Sequence, residues 1–290
     1  MTSGTITPRI PDIDWSKGFD RHWCGGNPAL THQYNAISLL LPAGEQFFRD
    51  VAREVARSLD LSNNPRLEQE VREFAVQESQ HAAQHRRYNE VLAAQGFQNI
   101  VEPSIMWWKS FLHRHTSPLT SLAAVCAYEH YTAIIAENLL RSRKKWMDGS
   151  PDMALFWGWH AAEETEHKAV CFDLYTAAGG GWLRRVFVFL VISISFNLYF
   201  FARAYFYLMR ADRGLKSKAS STTVSARPPA RAYLGPIGFA FGSALHYLSP
   251  RFHPWHRDNR AHMEAWLHNN AARLRVLGRS AESTTKATTR

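Results

Sequence analysis

Residues 159–175 read WHAAEETEHKAVCFDLY; within them Glu164 and His167 stand three apart, and His160 lies four positions before the glutamate. On a helix, side chains three and four apart share one face, so His160, Glu164 and His167 form a continuous stripe. Its neighbours are apolar, FWGW before and AVCF after, which predicts a buried helix rather than a solvated one. A carboxylate in such surroundings is costly unless something positive meets it. The same spacing recurs upstream as Glu78-x-x-His81, within QESQHAAQHRRYN (77–89). A single glutamate precedes each pair, Glu45 in LPAGEQFF (41–48) and Glu129 in AAVCAYEHYTAIIA (123–136).

The order is therefore Glu, Glu-x-x-His, Glu, Glu-x-x-His. Glu45 and Glu78 are 33 positions apart and Glu129 and Glu164 are 35 apart, which describes two helical hairpins of nearly equal length. Ferritin-like bundles bind two iron or manganese ions with this ligand set. The expected metal ligands are Glu45, Glu78, His81, Glu129, Glu164 and His167. His160 is either a seventh ligand or a partner behind the ligands. Glu137, Glu163 and Glu166 compete for the carboxylate roles, and Glu164 is preferred because it keeps the three-residue spacing to His167. One Glu-x-x-His on a helix usually marks a solvated face. Two of them, on the second and fourth long helices, are harder to reach by chance.

Working outward, Pro42 suits the first turn of a helix that begins near Leu41 and ends at Ser62-Asn63-Asn64-Pro65. A second helix is expected from about Arg66 to Gln95, stopped by Gly96, and a third from Leu119 to Met147. Ser150-Pro151-Asp152 opens a fourth that runs to Ala178, before Gly179-Gly180-Gly181. The expected fold is all-α, a ferritin-like four-helix bundle over 41–178. An irregular arm, 1–40, precedes it; a helical extension, 182–278, and a disordered tail, 279–290, follow it. Trp107 and Trp108 fall in the connection between the second and third helices. With Trp157, Trp159 and Tyr128 they are candidates for lining a substrate pocket.

The most apolar segment is Val186 to Met209, whose first 17 residues carry no charge. That is the lower edge of what crosses a bilayer, and arginines flank both ends. Three placements stay open: buried on the bundle, lying in a membrane interface, or spanning. A Ser/Thr/Lys/Pro stretch, 216–231, reads as a surface loop, 233–248 as a second apolar segment and 258–277 as a polar helix.

The chain carries a net charge of +9, concentrated in Arg184, Arg185, Arg203, Arg210, Arg213, Lys216, Lys218, Arg227 and Arg231. Clustered cations point to an anionic neighbour such as a membrane surface, and no nucleic-acid motif accompanies them. Three cysteines, Cys24, Cys126 and Cys171, form no C-x-x-C pair and fit a reducing cytosol. Residues 1–15 do not resemble a secretory signal, so a cytoplasmic protein is expected, peripheral or inserted in the inner membrane through 186–209.

In LPAGEQFF, QESQHAAQHRRYN, YEHYTA, WHAAEETEHKAVCFDLY and RFHPWHRD (251–258) the chain resembles the bacterial proteins described as predicted metal-dependent hydrolases. The likeness runs from about His22 to Leu274. His160 is also similar to the added histidine of the para-aminobenzoate N-oxygenase group, which oxidises an aryl amine at a seven-ligand di-iron site. That second parallel covers the bundle alone.

Three functions follow as expectations. The first is a di-iron (or di-manganese, or mixed) oxygenase or oxidase acting on a hydrophobic small molecule, since ligands held mid-helix among Trp, Phe and Ala make a dry site. The second is a hydrolase using water activated by two metals. The third is ferritin-like iron handling, against which the long extension weighs. Expected partners are the substrate, an external electron donor because no flavin or nucleotide motif is present, an anionic membrane surface, and a second copy in a homodimer. Nucleic acid is not expected.

Overall fold

In the computed structural model, residues 5–141, 150–216 and 244–277 are described. The first helix, α1, spans Pro28–Arg57, with the Asn27 side chain accepting from Leu30 N and proline in the first turn. It thus begins well before Leu41, and the irregular arm ends near Asn27 rather than at residue 40. The helical period is hidden there because Leu30 to Ala43 are buried on every side, polar residues included. Pro42 lies inside the helix and does not open it. Its missing N–H frees the carbonyl of Ser38, which accepts from Asn89 Nδ2 at 2.9 Å, while Asn99 Nδ2 donates to the next carbonyl, Leu39, at 3.1 Å.

Helix α2, Pro65–Ala94, is capped by Asn64 and closes at Gly96, whose φ of 96° is open to glycine at little cost. The expected connection holds a helix of its own, α3, Glu102–His115. Helix α4 spans Pro118–Arg141; its expected continuation to Met147 lies outside the described residues. The fourth expected helix is two: α5, Pro151–His167, breaks at Lys168 and Ala169 and resumes as α6, Val170–Ala177. The break frees Lys168, whose Nζ donates to Arg257 O and Asn259 Oδ1, both at 2.7 Å.

Next come α7, Trp182–Ile194, a π-helical turn over Ser195–Phe201, and α8, Ala202–Lys216. Of the second apolar segment only 244–248 is described, a 3-10 turn at Leu245–Leu248. The loop 217–231 and the tail 279–290 also lie outside the described residues. Helix α9, Arg260–Asn270, is shorter than expected, because 274–276 form a strand. That strand, β2, pairs antiparallel with β1, Arg9–Pro11, in the register Ile10 opposite Arg275. Strands of three residues are too short for an alternating pattern to show.

Helix α1 packs on α2 and α4 on α5, while α7 rides on α4, α8 on α1 and α9 on α5. Two apolar clusters result. One gathers Phe47 to Val55, Leu67 to Phe74, Leu122 to Ile134 and Val170 to Tyr175. The other gathers Leu30 to Ala43, Tyr88 to Phe97 and Met153 to Trp159. Between them, at the same height on four helices, lies a layer of buried acids and histidines.

Candidate metal centre

All seven residues expected from the sequence meet in that layer. Glu45 comes from α1, Glu78 and His81 from α2, Glu129 from α4, and His160, Glu164 and His167 from α5. Each is at least nine-tenths buried. His167 Nε2 lies 3.4 Å from Glu78 Oε1, 3.4 Å from Glu129 Oε2 and 3.5 Å from Glu164 Oε2. His81 Nδ1 is 3.5 Å from Glu164 Oε1 and 3.7 Å from Glu78 Oε1, and His160 Nε2 is 3.3 Å from Glu164 Oε1. Ligand atoms of Glu45, His81, His160 and Glu164 fall within 4.8 Å of one another, as do those of Glu78, Glu164 and His167. Glu164 belongs to both groups, so the two clusters adjoin and share one carboxylate.

The inward atoms have nothing to bond. Both oxygens of Glu45, Glu78 and Glu129, Glu164 Oε2, His81 Nδ1 and His167 Nε2 are buried without a hydrogen-bond partner. Buried polar atoms are almost always paired, so a group of this size in one place is a candidate cation site. Four carboxylates with imidazoles are the donor set that iron and manganese prefer.

The outward atoms, by contrast, are fully engaged. His81 Nε2 donates to Glu163 Oε2 at 3.0 Å, and His167 Nδ1 to Gln77 Oε1 at 2.9 Å. The Gln77 amide is fixed in this sense because its nitrogen donates to Glu166 Oε2 at 2.9 Å. A longer chain stands behind His160. Asn89 Nδ2 donates to Ser38 O, so its oxygen must accept from Ser38 Oγ, which then accepts from His85 Nδ1 at 2.9 Å. Burial, then the charges of His160 and His81, hold His85 well below its usual range and hence neutral. Its Nε2 is therefore an acceptor, and takes a hydrogen bond from His160 Nδ1 at 3.1 Å. Burial and the charge of His81 hold His160 itself down at about 3, leaving a bare lone pair on Nε2 toward Glu164. Each of the three imidazoles presents an unprotonated nitrogen inward when neutral, with its tautomer set from behind.

Several of these supports escaped the sequence reading. Gln77, Arg9 and the backbone of Thr7 complete the outer layer: Arg9 donates from Nη1 and Nη2 to the two oxygens of Glu166, both at 3.0 Å, and its backbone N donates to Glu163 Oε1 at 2.7 Å. The one available signal was the density of acids in EETEH, where Glu163 and Glu166 are support for the inward pair. Glu137 is engaged elsewhere, accepting from Arg141 and Arg257. Cys171 is buried in the core.

Two cavities lie among the same helices. A narrow apolar one of about 60 Å³ is lined by none of the seven residues themselves but by Leu41, Gly44 and Phe48 in the turns on either side of Glu45, by Tyr128 and Thr132 in those on either side of Glu129, and by Trp108, Phe196 and Phe200. A polar one of about 260 Å³ reaches Glu129 itself and is walled by His130, Lys168, His253 and Arg257. Of the aromatic residues expected to line a pocket, Trp108 and Tyr128 do so; Trp107 is on the surface, and Trp157 and Trp159 are packed in the core.

Fold and centre together define an all-α helical protein with buried carboxylate–imidazole clusters suited to metal ions. The chain belongs to the family described as predicted metal-dependent hydrolase, whose family model matches residues 7–258. No curated protein and no solved structure matches it.

Proposed function

We propose that this protein is a two-metal enzyme in which Glu45, Glu78, His81, Glu129, His160, Glu164 and His167 hold the ions. The reading rests on one observation, the convergence of unpartnered carboxylate and imidazole atoms at the centre of a layer whose outer atoms are all bonded. Two ions of iron or manganese bound there would relay electrons to dioxygen for the oxidation of an apolar small molecule. The chain's own part is to seat that molecule in the apolar cavity beside Glu45, to exclude water with the apolar clusters on either side, and to fix the three histidine tautomers through Glu163, Gln77 and His85. Electrons would come from a separate donor.

A second reading is hydrolysis, which the family description names directly. The polar cavity favours it, since it gives water and a polar substrate a way to the Glu129 side. Protein expressed with added iron separates the two. About two irons per chain, with an absorption band that appears when the reduced protein meets oxygen and is lost in Glu164→Ala/His167→Ala, supports oxidation. Two metals with no response to oxygen, together with ester or amide turnover in its absence, supports hydrolysis. A metal content no higher than that of the double variant removes both.

A further inference from the structure

A helix on the surface of a water-soluble protein needs one apolar face, and the stretch formed by α7, the π turn and α8 has two. Val188, Phe189, Ile192, Phe200, Phe201 and Leu208 point inward and are buried against the bundle. Leu183, Phe187, Ile194, Leu198 and Phe206 point outward, each 63–73% exposed. Leu190 and Val191 continue that outer stripe at helical spacing, and the neighbouring α3 adds Met106, Trp107 and Phe111. The two elements are joined where Arg203 Nη1 donates to Ser104 Oγ at 2.7 Å. An exposed apolar surface of this extent marks an interaction site. By length and composition Trp182–Leu215 is also the one helix among the described residues that is apolar enough to cross a membrane.

We infer that this face lies in the interfacial layer of an anionic lipid bilayer, and that the apolar cavity behind it admits a lipid-soluble substrate with an extended hydrocarbon part. This rests on the two-metal reading and names the substrate class for it. Charge selects the occupant. Arg184 at one end of the stripe and Arg203, Arg210 and Arg213 toward the other are all exposed, and they match a layer of anionic headgroups. A second copy would bring the same arginines against themselves on a chain already at +9. Trp107 of α3, Trp182 of α7 and Tyr199 of the π turn are also exposed, the aromatic types that settle at the headgroup level. Burial of the inner face against α1 and α4 argues against full insertion, because a spanning helix would have to strip those contacts.

The route inward is built from the same elements. Ile105, Trp108 and Lys109 of α3 and Phe196 and Phe200 of the π turn line the apolar cavity together with Leu41, Gly44 and Phe48, which flank Glu45 on α1. A π turn adds a residue to the helical repeat and often accompanies a functional site; here it brings Phe196 and Phe200 to the cavity wall. Lys109, half-buried in the wall, is placed to meet a headgroup while the apolar part passes inward.

Flotation of the full-length, metal-loaded protein with phosphatidylcholine vesicles, with and without phosphatidylglycerol, tests the docking. The expected result is about tenfold stronger binding to the anionic vesicles, falling as salt rises from ~0.1 to ~0.5 M. Phe187→Glu/Leu198→Glu should abolish it with metal content unchanged, which separates failure of docking from failure of the metal reading. Equal binding to both vesicle types, retention after alkaline carbonate extraction, or a dimer in sedimentation that the same variant dissociates would each overturn the proposal. For the cavity, the probe is the fluorescent polyene fatty acid cis-parinaric acid. Ile135→Trp, which fills the cavity, should weaken its binding about tenfold without altering flotation; unchanged binding would overturn the substrate route.

Discussion

Glu129 shows what burying these acids costs the protein. Burial, reinforced by the charge of Glu164 and opposed by His167, pushes its carboxyl up to about 8. Burial also raises Glu78, and raises Glu45 well above the usual carboxylate range against the pull of His81. For His81 and His167 burial disfavours the charge, yet the carboxylates around them prevail and both stay protonated well above the ordinary histidine range. Glu129, His81 and His167 therefore hold protons in the folded, metal-free chain that the unfolded chain has released by neutral pH, and Glu45 and Glu78 are shifted in the same direction. Stability falls with pH wherever the folded state binds the more protons, so it declines from about pH 7 through pH 8 as these sites are forced to ionise; below that range His85, His130 and His160, which the fold keeps neutral, oppose the trend. Glu164, held well below its usual range by His167 and His81 despite burial, is ionised throughout this window and adds no slope. The melting temperature of metal-free protein should therefore drop by several degrees between pH 7 and pH 8. With iron or manganese bound the trend should flatten or reverse, because the ions replace the protons. A metal-free melting temperature that rises over the same interval would mean that the cluster is not charged as described.

At the scale of single elements, α1 and α2 are locked by one asparagine. Asn89 donates to the Ser38 carbonyl that Pro42 leaves without a helical partner, and accepts from the Ser38 hydroxyl that fixes His85. Removing a partner from a buried carbonyl costs about 1–3 kcal/mol. Asn89→Ala should lower stability by that much in urea denaturation. The loss should shrink by about 1 kcal/mol in a Pro42→Ala background, where the new N–H takes over the Ser38 carbonyl, and strict additivity of the two substitutions would refute the coupling. The same pairing explains what could be read in advance. Glu45, Glu78, His81, Glu129, Glu164 and His167 were legible because helical spacing is local and a buried acid is conspicuous among Phe, Trp and Ala. The start of α1 was not, because Thr31, His32, Asn35 and Ser38 look like loop residues until the elements that cover them are in place. Nor was the break at Lys168, whose partners lie about ninety positions away.

Across the whole molecule, the chain's two described ends are joined over the back of the centre. The β1–β2 pair ties residues 9–11 to 274–276, and the arm so held delivers Arg9 onto Glu166 and Glu163, the acids that steady Gln77 and His81. No sequence spacing predicts this, since Arg9 and Glu166 are 157 positions apart. The arm is thus a strap on the outer layer, and loosening it should be felt at the inner one. Arg9→Ala leaves Glu166, 7% exposed, without its cation, a loss of about 3 kcal/mol for a pair this buried. Arg9→Lys should recover only part of it, because an ammonium cannot bond both oxygens as the guanidinium fork does. The comparison is Arg72→Ala, which removes an exposed pair with Glu68 and should change stability by less than about 1 kcal/mol. Chelator competition should show metal leaving Arg9→Ala about tenfold faster than the parent protein or Arg72→Ala, since supports behind a ligand typically carry that much affinity. If Arg9→Ala instead releases metal at the parent rate while losing the full 3 kcal/mol, the strap holds the fold alone, and the outer layer sets the histidine tautomers without its help.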